Sequence, residues 1–417
     1  MDPGVDPDVI VAGAGPAGAV AARTLAAAGL RTLLVDRAEF PRNKPCGGGI
    51  SPRASRRFPW FDRAVAGIDV HRISKLHLEG PGGAVCDVSS PEPSVYLVRR
   101  LDLDHALVRE AERAGAELVE RFEITQVSQT RSGVTFTSRD GRELTAPAVV
   151  AADGVHSVTA KRLGVHARWP DTGLAIDMME ETPIETLSAD RSDVLWVSYA
   201  YRGLDGYSYI FPKTRHVNVG IGCLLSYFKE AVSEAPYDLQ QGFVNALVAD
   251  GALQGQSDRQ NFTPFLIPIG GPMRPASRGP VLFAGDAGGF VNAYTAEGIY
   301  YAMVSGELAG RALAKTAGDG VAAGAVYERL WRRELGTELN DAVKVQRYLF
   351  ANHDRVNRAV RGAAAAPDLV ALMLSYVSGE LSYASFRRKL ILRFPLTVWR
   401  VARERFGAGP AHALTQE

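Results

Sequence analysis

Residues 9–36 read VIVAGAGPAGAVAARTLAAAGLRTLLVD, and the fold class follows from their pattern. Its first four residues form a short apolar run that is typical of a buried strand. The alanine-rich segment 16–28 begins at a proline and stops at Gly29, as a helix does. A second apolar run, 31–35, closes at Asp36. The order strand, helix, strand predicts a βαβ unit and therefore a parallel sheet.

The turn between the first strand and the helix carries the glycine pattern GAGPAG. Gly13 permits the tight turn, Gly15 lets the backbone approach a pyrophosphate, and Gly18 lets the helix pack closely on the strand. The helix N-terminus offers free N–H groups and a partial positive charge to phosphates. Asp36, at the end of the second strand, is placed to accept hydrogen bonds from ribose hydroxyls. The predicted dinucleotide site includes Gly13, Ala14, Gly15, Pro16, Ala17, Gly18, Asp36 and Arg37.

The composition of the 417-residue chain narrows the class of protein. With 47 Lys and Arg against 46 Asp and Glu, the formal net charge is +1, which argues against a general nucleic-acid binder. The cysteines at positions 46, 86 and 223 have no paired spacing, so we predict neither a disulfide framework nor a metal site. The start of the chain lacks signal-peptide features, and no apolar run approaches the roughly 18 residues of a membrane span. A cytoplasmic setting is expected.

Hydrophobic periodicity divides the chain into three parts. A dinucleotide-binding part is followed by a region of β alternation, which predicts an inserted antiparallel sheet with one helix around 227–250, and then by a mostly helical region. The expected fold class is therefore α/β, with a doubly wound Rossmann-like domain, an inserted antiparallel-sheet substrate domain and a helical C-terminal region. The predicted limits are 1–165 with 279–320 for the first part (interrupted by a hairpin at about 70–98), 166–278 for the second and 321–417 for the third.

Two further segments resemble the flavoprotein family of para-hydroxybenzoate hydroxylase. ADGVHS, residues 152–157, looks like the Asp-Gly segment of that family, and FAGDA, residues 283–287, looks like the Gly-Asp segment whose aspartate binds FAD. Arg100 resembles the FAD-contacting arginine, with Arg99 as the alternative. The resemblance implies that the dinucleotide is FAD. The FAD-binding residues predicted in addition are Arg100, Val127, Asp153, Gly154, Gly285 and Asp286.

Two stretches resemble the geranylgeranyl reductase family more narrowly. KPCGGGISPR, residues 44–53, looks like the Cys-Gly-Gly loop of that family, and residues 285–302 look like its flavin-edge segment. The resemblance adds Cys46, Gly47, Gly48, Gly49, Gly298 and Ile299 to the predicted FAD site. Residues 204–212 match the family's Pro-x-x-Tyr-x-Trp-x-Phe-Pro substrate signature in part, since Leu204 replaces its first proline and Tyr209 its tryptophan. Because of these departures, the signature does not identify the substrate.

The chemistry of a flavin reductase needs one proton for each hydride that reduced FAD supplies. Cys46 lies in a glycine-rich loop that can approach the flavin closely, so it is the predicted catalytic proton donor. The alternative is a small packed residue without a catalytic role.

Aromatic residues predict a wall for the substrate. Tyr207, Tyr209 and Phe211 alternate along one strand and therefore share a face. Trp196 and Tyr199 lie on a neighbouring strand, with Trp196 on the face of Val194 and Ser198. These five aromatic residues are the predicted substrate contacts, and the alternative is an ordinary sheet core.

The segment 386–406 carries seven Lys and Arg residues against one Glu, interleaved with apolar residues. This pattern is typical of a peripheral membrane contact. A solvated face over a helical core is the alternative.

The leading hypothesis is an FAD-dependent reductase that saturates C=C bonds of a prenylated or polyene substrate. An FAD-dependent monooxygenase acting on an aromatic or natural-product substrate is the alternative, and a non-catalytic prenyl-binding escort protein is a third hypothesis. A flavin halogenase is disfavoured because no Trp-x-Trp-x-Ile-Pro match is present. No second strand-linked glycine pattern occurs, so electrons are expected from an external donor, either NAD(P)H or a reduced carrier protein.

Overall fold

A computed structural model describes residues 6–130 and 133–393 of the chain. Its strands are, in chain order, β1 (Val9–Ala12), β2 (Thr32–Val35), β3 (Gly49–Ile50), β4 (Val70–Ile73), β5 (Lys75–Glu79), β6 (Val85–Ser89), β7 (Val95–Val98), β8 (Glu117–Val119), β9 (Ile124–Gln129), β10 (Val134–Ser138), β11 (Glu143–Ala146), β12 (Ala148–Ala151), β13 (Leu174–Pro183), β14 (Leu187–Ala189), β15 (Val194–Tyr199), β16 (Gly206–Pro212), β17 (His216–Leu224), β18 (Leu253–Gly255), β19 (Phe262–Pro268), β20 (Ser277–Arg278) and β21 (Val281–Phe283). Its α-helices are α1 (Pro16–Ala27), α2 (Arg53–Arg57), α3 (Phe61–Val65), α4 (Arg100–Arg113), α5 (Val158–Arg162), α6 (Leu225–Ala231), α7 (Pro236–Ala249), α8 (Ile299–Lys315), α9 (Gly320–Trp331), α10 (Thr337–Leu349), α11 (His353–Ala364) and α12 (Pro367–Val377).

A six-stranded sheet carries the predicted βαβ unit. Its order is β20-β21-β12-β1-β2-β8, and all neighbours pair in parallel except β20 with β21. Side chains of β1 alternate between two cores, as period 2 requires. Val9 and Val11 pack in the core shared with α1, α4 and α8, whereas Ile10 packs in the core shared with Phe136 of β10. Helices therefore cover one face of this sheet, and the sheet β11-β10-β9 covers the other.

A seven-stranded sheet has the order β19-β13-β17-β16-β15-β5-β6. One of its faces packs on α7 through residues such as Met178 and Phe243. The opposite face carries Met179, Leu195 and Tyr209. The predicted hairpin at about 70–98 contributes β5 and β6 to this sheet, because β5 pairs in parallel with β15.

The helix predicted around 227–250 is two helices. Helix α6 ends at Ala231, and α7 begins at Pro236, which has no N–H to continue a helix across the break. The structure thus replaces one long helix by two shorter ones.

The C-terminal region is helical where the structure describes it. Helices α9 and α10 are joined by a π-helical turn, Arg332–Gly336, and a further helical stretch covers 383–393. Helix α11 packs on β6, where Val360 shares a small core with Cys86 and Val88. Residues 394–406 of the predicted basic segment lie outside the described residues. Among the described helices no single one is long and apolar enough to cross a membrane, while α11 and α12 together pass that test as a pair bent by 94°.

Candidate active site

The turn from β1 into α1 is built by contacts that only glycine allows. Gly13 has a φ of +95°, and a Cβ there would lie 2.4 Å from the carbonyl oxygen of Ala152. A Cβ on Gly18 would lie 1.8 Å from the carbonyl oxygen of Gly13. Gly15, the residue before α1, provides no side-chain cap, so the first-turn N–H groups stay available to an anion.

The carboxylate of Asp36 lies at the edge of the same sheet. Its Oδ2 accepts a hydrogen bond from the N–H of Ala14 at 2.8 Å, and its Oδ1 accepts one from Ala38 at 2.9 Å. Arg42 approaches the same carboxylate to 3.6 Å. Arg37, the next residue along the chain, is exposed.

A buried ionic cluster lies beside the start of α1. Arg100 donates two hydrogen bonds of 2.7 Å to Asp104, and Arg42 donates one of 2.8 Å to the same carboxylate. A Cβ on Gly15 would lie 3.8 Å from a guanidinium nitrogen of Arg42 and 3.9 Å from one of Arg100. Burial would raise the pKa of Asp104, but the arginines lower it below its ordinary value, so the carboxylate is charged.

These contacts separate the alternatives Arg99 and Arg100. Arg99 pairs with Glu181 of β13 at 3.2 Å, on the larger sheet. Arg100, the first residue of α4, lies beside the start of α1 together with Arg42. Two guanidinium groups beside an uncapped helix N-terminus fit the pyrophosphate of FAD.

The Gly-Asp segment lies across the cavity from the Cys-Gly-Gly loop. Gly285 has a φ of +58°, and its N–H donates to the Ser305 hydroxyl of α8 at 2.9 Å. Lys44 of the loop reaches Asp286 at 3.3 Å. Gly298, before α8, also leaves a helix N-terminus without a side-chain cap.

Asp153 is oriented away from this cavity. Its carboxylate accepts from the Ser157 hydroxyl at 2.6 Å and from the N–H of Thr159 at 2.9 Å, so it caps α5. Its neighbour Gly154 lines the cavity instead. Val127 packs against the core of β1 and β10, away from the cavity lining.

One cavity brings together the cofactor loops and the aromatic strand. Of the predicted residues, it is lined by Gly15, Pro16, Ala17, Cys46, Gly47, Gly48, Gly49, Arg100, Gly154, Gly285, Asp286, Gly298, Ile299, Tyr199, Tyr207, Tyr209 and Phe211. The rings of Tyr209 and Phe211 are 4.3 Å apart, and a Cβ on Gly47 would lie 2.9 Å from the Phe211 ring. The glycine loop therefore packs directly on the aromatic strand.

Trp196 was predicted in the aromatic wall, and the structure corrects this. The side chain lies on the opposite face of the sheet, where its ring stacks on Phe243 at 6.2 Å and its N–H donates to Glu79 at 3.1 Å. Strand alternation is the reason, because Leu195, Val197 and Tyr199 of β15 line the cavity and Trp196 points the other way.

Cys46 lies inside the cavity lining and is partly exposed. Its sulfur accepts a hydrogen bond from the N–H of Gly48 at 3.4 Å, and its carbonyl accepts one from Asn218 at 3.4 Å. The thiol is also close enough to Arg100 to raise the pKa of that guanidinium, together with Asp104 and against the effect of burial. The position is compatible with the predicted role, which stays a prediction.

Sequence reasoning missed part of the cavity wall. Asp177 of β13 lines it beside Tyr209, and Leu76 and Leu78 of β5 line it from the hairpin. Helix α12 contributes Val370, Met373, Leu374 and Val377. No local pattern marks these residues, because each enters the cavity through long-range packing.

Comparison with known proteins decides the family. Residues 6–324 match the family model described as "FAD binding domain". A menaquinone reductase of Mycobacterium tuberculosis is 32% identical over 330 residues, which cover 73% of this chain and 76% of that protein. A digeranylgeranylglycerophospholipid reductase of Methanocella arvoryzae is 30% identical over 81% of this chain and 86% of that protein. The chain belongs to the geranylgeranyl reductase family of FAD-dependent oxidoreductases.

Solved structures agree on the fold. A geranylgeranyl bacteriochlorophyll reductase-like protein of Thermoplasma acidophilum matches 95% of this chain and 98% of its own, with a TM-score of 0.75 at 19% identity. A flavin-dependent brominase matches with a TM-score of 0.71 at 17% identity. These structures confirm the predicted fold class. The family model and the two relatives confirm the predicted family and FAD-dependent oxidoreductase activity, and the family model supports FAD as the cofactor.

Proposed function

We propose that this geranylgeranyl reductase family member saturates C=C bonds in the isoprenoid chain of a prenylated lipid. Supporting this are the two relatives, whose names specify a menaquinone and a digeranylgeranylglycerophospholipid as substrates. The observation that carries the proposal is the single cavity, which extends from the flavin loops to the apolar side chains of β5 and α12.

The cavity wall suits such a substrate along its length. Near the Cys-Gly-Gly loop it presents the rings of Tyr207, Tyr209 and Phe211, which can pack against a quinone ring or an alkene. Farther away it presents aliphatic side chains, which favour a flexible hydrocarbon chain. The aliphatic part is formed by Leu76, Leu78, Val88, Val370, Met373 and Leu374.

Bound and reduced FAD supplies a hydride to the substrate. The start of α1, with Arg42 and Arg100, would hold the pyrophosphate, and Asp36 would accept from the ribose hydroxyls. The two glycine segments, at 46–49 and 285–286, let backbone approach the flavin closely. The packed aromatic strand excludes water from the reacting bond. An acid on the cavity wall must then deliver one proton, and Cys46 is the acid predicted from sequence.

Electrons are proposed to come from an external donor, either NADPH, NADH or a reduced carrier protein. The measurement is the rate at which each donor reduces the purified holoenzyme without oxygen, followed by flavin absorbance. A donor that reduces the enzyme-bound FAD faster than it reduces FAD free in solution belongs to the physiological class of electron donor.

Product mass after a single turnover tests the function. Chemically reduced holoenzyme is mixed with menaquinone, geranylgeranylated lipid and aromatic candidates, once without oxygen and once in air. After any quinol in the anaerobic product has been reoxidised in air, we expect a product whose isoprenoid chain is heavier by two hydrogens. A product heavier by one oxygen and formed only in air would establish the monooxygenase, and lipid binding by a colourless protein would establish the escort protein.

A further inference from the structure

Three adjacent strands of the larger sheet place a carboxylate in the cavity wall. Strand β17 lies between β13 and β16, and its residues Gly220 and Gly222 have no side chains. Gly222 pairs with Asp177 on one side and Tyr207 on the other. Gly220 likewise pairs with Met179 on β13 and Tyr209 on β16. The two glycines leave a gap in the cavity face between β13 and β16.

The Tyr209 side chain crosses this gap. A Cβ on Gly220 would lie 2.4 Å from the Tyr209 hydroxyl, so any larger residue there would displace the ring. The hydroxyl donates to Oδ2 of Asp177 at 3.1 Å and lies 3.4 Å from Oδ1. A side-chain hydrogen bond therefore joins β16 to β13 across β17, and it can form because β17 carries glycine at that position.

Asp177 has little else to stabilise a negative charge. It is 5% exposed and lines the cavity beside Tyr207 and Cys46. Within the described residues, no ion pair involves Asp177, and Tyr209 is the side chain that donates to it. The titratable groups that face it are Tyr207 and Tyr209 of β16 and Cys46 of the loop. Cys223 of β17 lies on the opposite face of the sheet. Its partner on β19 is Phe265, which is apolar.

Burial raises the pKa of Asp177 to about 7, against the smaller effect of the Tyr209 hydrogen bond, which lowers it. The carboxyl group consequently carries a proton over the acidic half of the physiological range. A buried acid with a pKa near the working pH is the type of group that general acid catalysis uses.

We propose that Asp177 is the proton donor of the reduction and that Tyr209 is the residue that positions it. This inference rests on the proposed function. One alkene carbon receives the hydride with its electron pair from the reduced flavin, and the other forms a C–H bond with the Asp177 proton as the O–H bond breaks. The alkene is reduced, the flavin is oxidised, and the Asp177 carboxylate regains its proton from water before the next turnover.

The test is the pH profile of anaerobic single turnover with menaquinone between about pH 5 and 9, in wild type and in four variants. The wild-type rate is expected to fall as the pH rises through the pKa of Asp177. Asp177→Asn lowers the rate by about 100-fold or more and removes the fall. Tyr209→Phe moves the fall to higher pH, because the hydroxyl that stabilises the charged form is lost. Cys46→Ser keeps the fall, and Asp87→Asn, an exposed carboxylate on β6, changes neither rate nor profile.

A second measurement does not depend on turnover. The wild-type minus Asp177→Asn infrared difference spectrum of the holoenzyme should show a protonated carboxyl band at about pH 6 that disappears by about pH 9. This subtraction removes the bands of Asp153, Glu180 and Glu297, whose pKa values are also raised by burial. Flavin absorbance shows whether each variant is folded and loaded.

The outcomes separate this inference from the function on which it rests. Suppose that wild type reduces menaquinone but the rate of Asp177→Asn still falls as the pH rises, or the rate of Cys46→Ser no longer does. Either result would mean that Asp177 is not the proton donor, while the proposed reductase function stands. A wild-type enzyme without the carboxyl band would also overturn the proposal. If wild type forms no reduced product from any prenyl lipid, both the function and the donor role fail, even where the band is present.

Discussion

At the scale of single residues, Asp104 is the group on which the predicted pyrophosphate site depends. The side chain of Asp104 is fully buried and forms ion pairs with both Arg100 and Arg42. Removing one partner of a buried ion pair leaves uncompensated charge in a medium that solvates it poorly.

Asp104→Asn should therefore lower the free energy of unfolding by about 3–5 kcal/mol. The loss should be smaller when FAD is bound, since its phosphates would supply negative charge to the same arginines. Because the pKa of Asp104 is lowered in the fold, the wild-type advantage should be full near neutral pH and shrink as the pH falls through that pKa. Urea unfolding with and without FAD measures this.

The matched control is Glu112→Gln on the same helix, where an exposed pair with Arg109 is worth about 0.5 kcal/mol or less. Equal losses in the two variants would mean that the buried cluster has no special role.

Much of the cofactor site was predictable at this scale. The spacing of Gly13, Gly15 and Gly18, followed by Asp36, is local, and the structure has the three glycines at the turn into α1 and its first residues and Asp36 directly after β2. Their roles toward FAD stay predictions. Asp177 was not predictable, because its position depends on the register of β13 against β17. The alternating glycines at 220 and 222, on the strand that follows the aromatic strand β16, are a signal that could have indicated a gap there.

At the scale of elements, α1 and α8 pack in close backbone contact. A Cβ on Gly306 of α8 would lie 2.0 Å from the carbonyl oxygen of Ala17. The preceding residue, Ser305, accepts from the N–H of Gly285. One helix contact therefore sets both the phosphate end and the Gly-Asp segment of the cofactor site.

Gly306→Ala should lower the free energy of unfolding by about 2 kcal/mol or more and weaken FAD binding, since α1 must move to admit the methyl group. Gly242→Ala in α7 is the control, because nothing lies within 4 Å of its Cβ position, and it should raise stability by up to about 1 kcal/mol. Thermal unfolding and FAD titration test both variants. Unchanged FAD affinity in Gly306→Ala would contradict the role given to this contact.

Local patterns predicted most element types, and their errors have physical causes. The segment 227–250 has helical spacing throughout, yet Pro236 begins a second helix there. The hairpin of β5 and β6 was assigned to the first domain by its place in the chain. The pairing of β5 with β15 joins strands that are far apart in the sequence, and hydrophobic alternation does not predict which strands pair.

At the scale of the whole molecule, three distant parts of the chain close one cavity. The glycine segments provide one wall, the larger sheet provides another, and α12 covers the end that faces the hairpin. Composition predicted helices for the C-terminal region but not that they line the cavity.

Leu374→Trp should shorten the isoprenoid chain that the enzyme accepts, because the larger ring fills the end of the cavity beside β5 and β6. Turnover of a long-chain quinone should fall by about tenfold or more, while a short-chain quinone, the control within the same variant, should be reduced at nearly the wild-type rate. Equal losses of turnover with the long-chain and the short-chain quinone would mean that the isoprenoid chain does not bind beside Leu374.

The proposed function requires a prenylated lipid itself to be the electron acceptor. Anaerobic stopped-flow absorbance of the reduced holoenzyme after mixing with menaquinone tests this requirement. We expect oxidised flavin to return without oxygen, with one flavin reoxidised for each C=C bond saturated. Flavin that stays reduced with every prenyl lipid until air is admitted would contradict it.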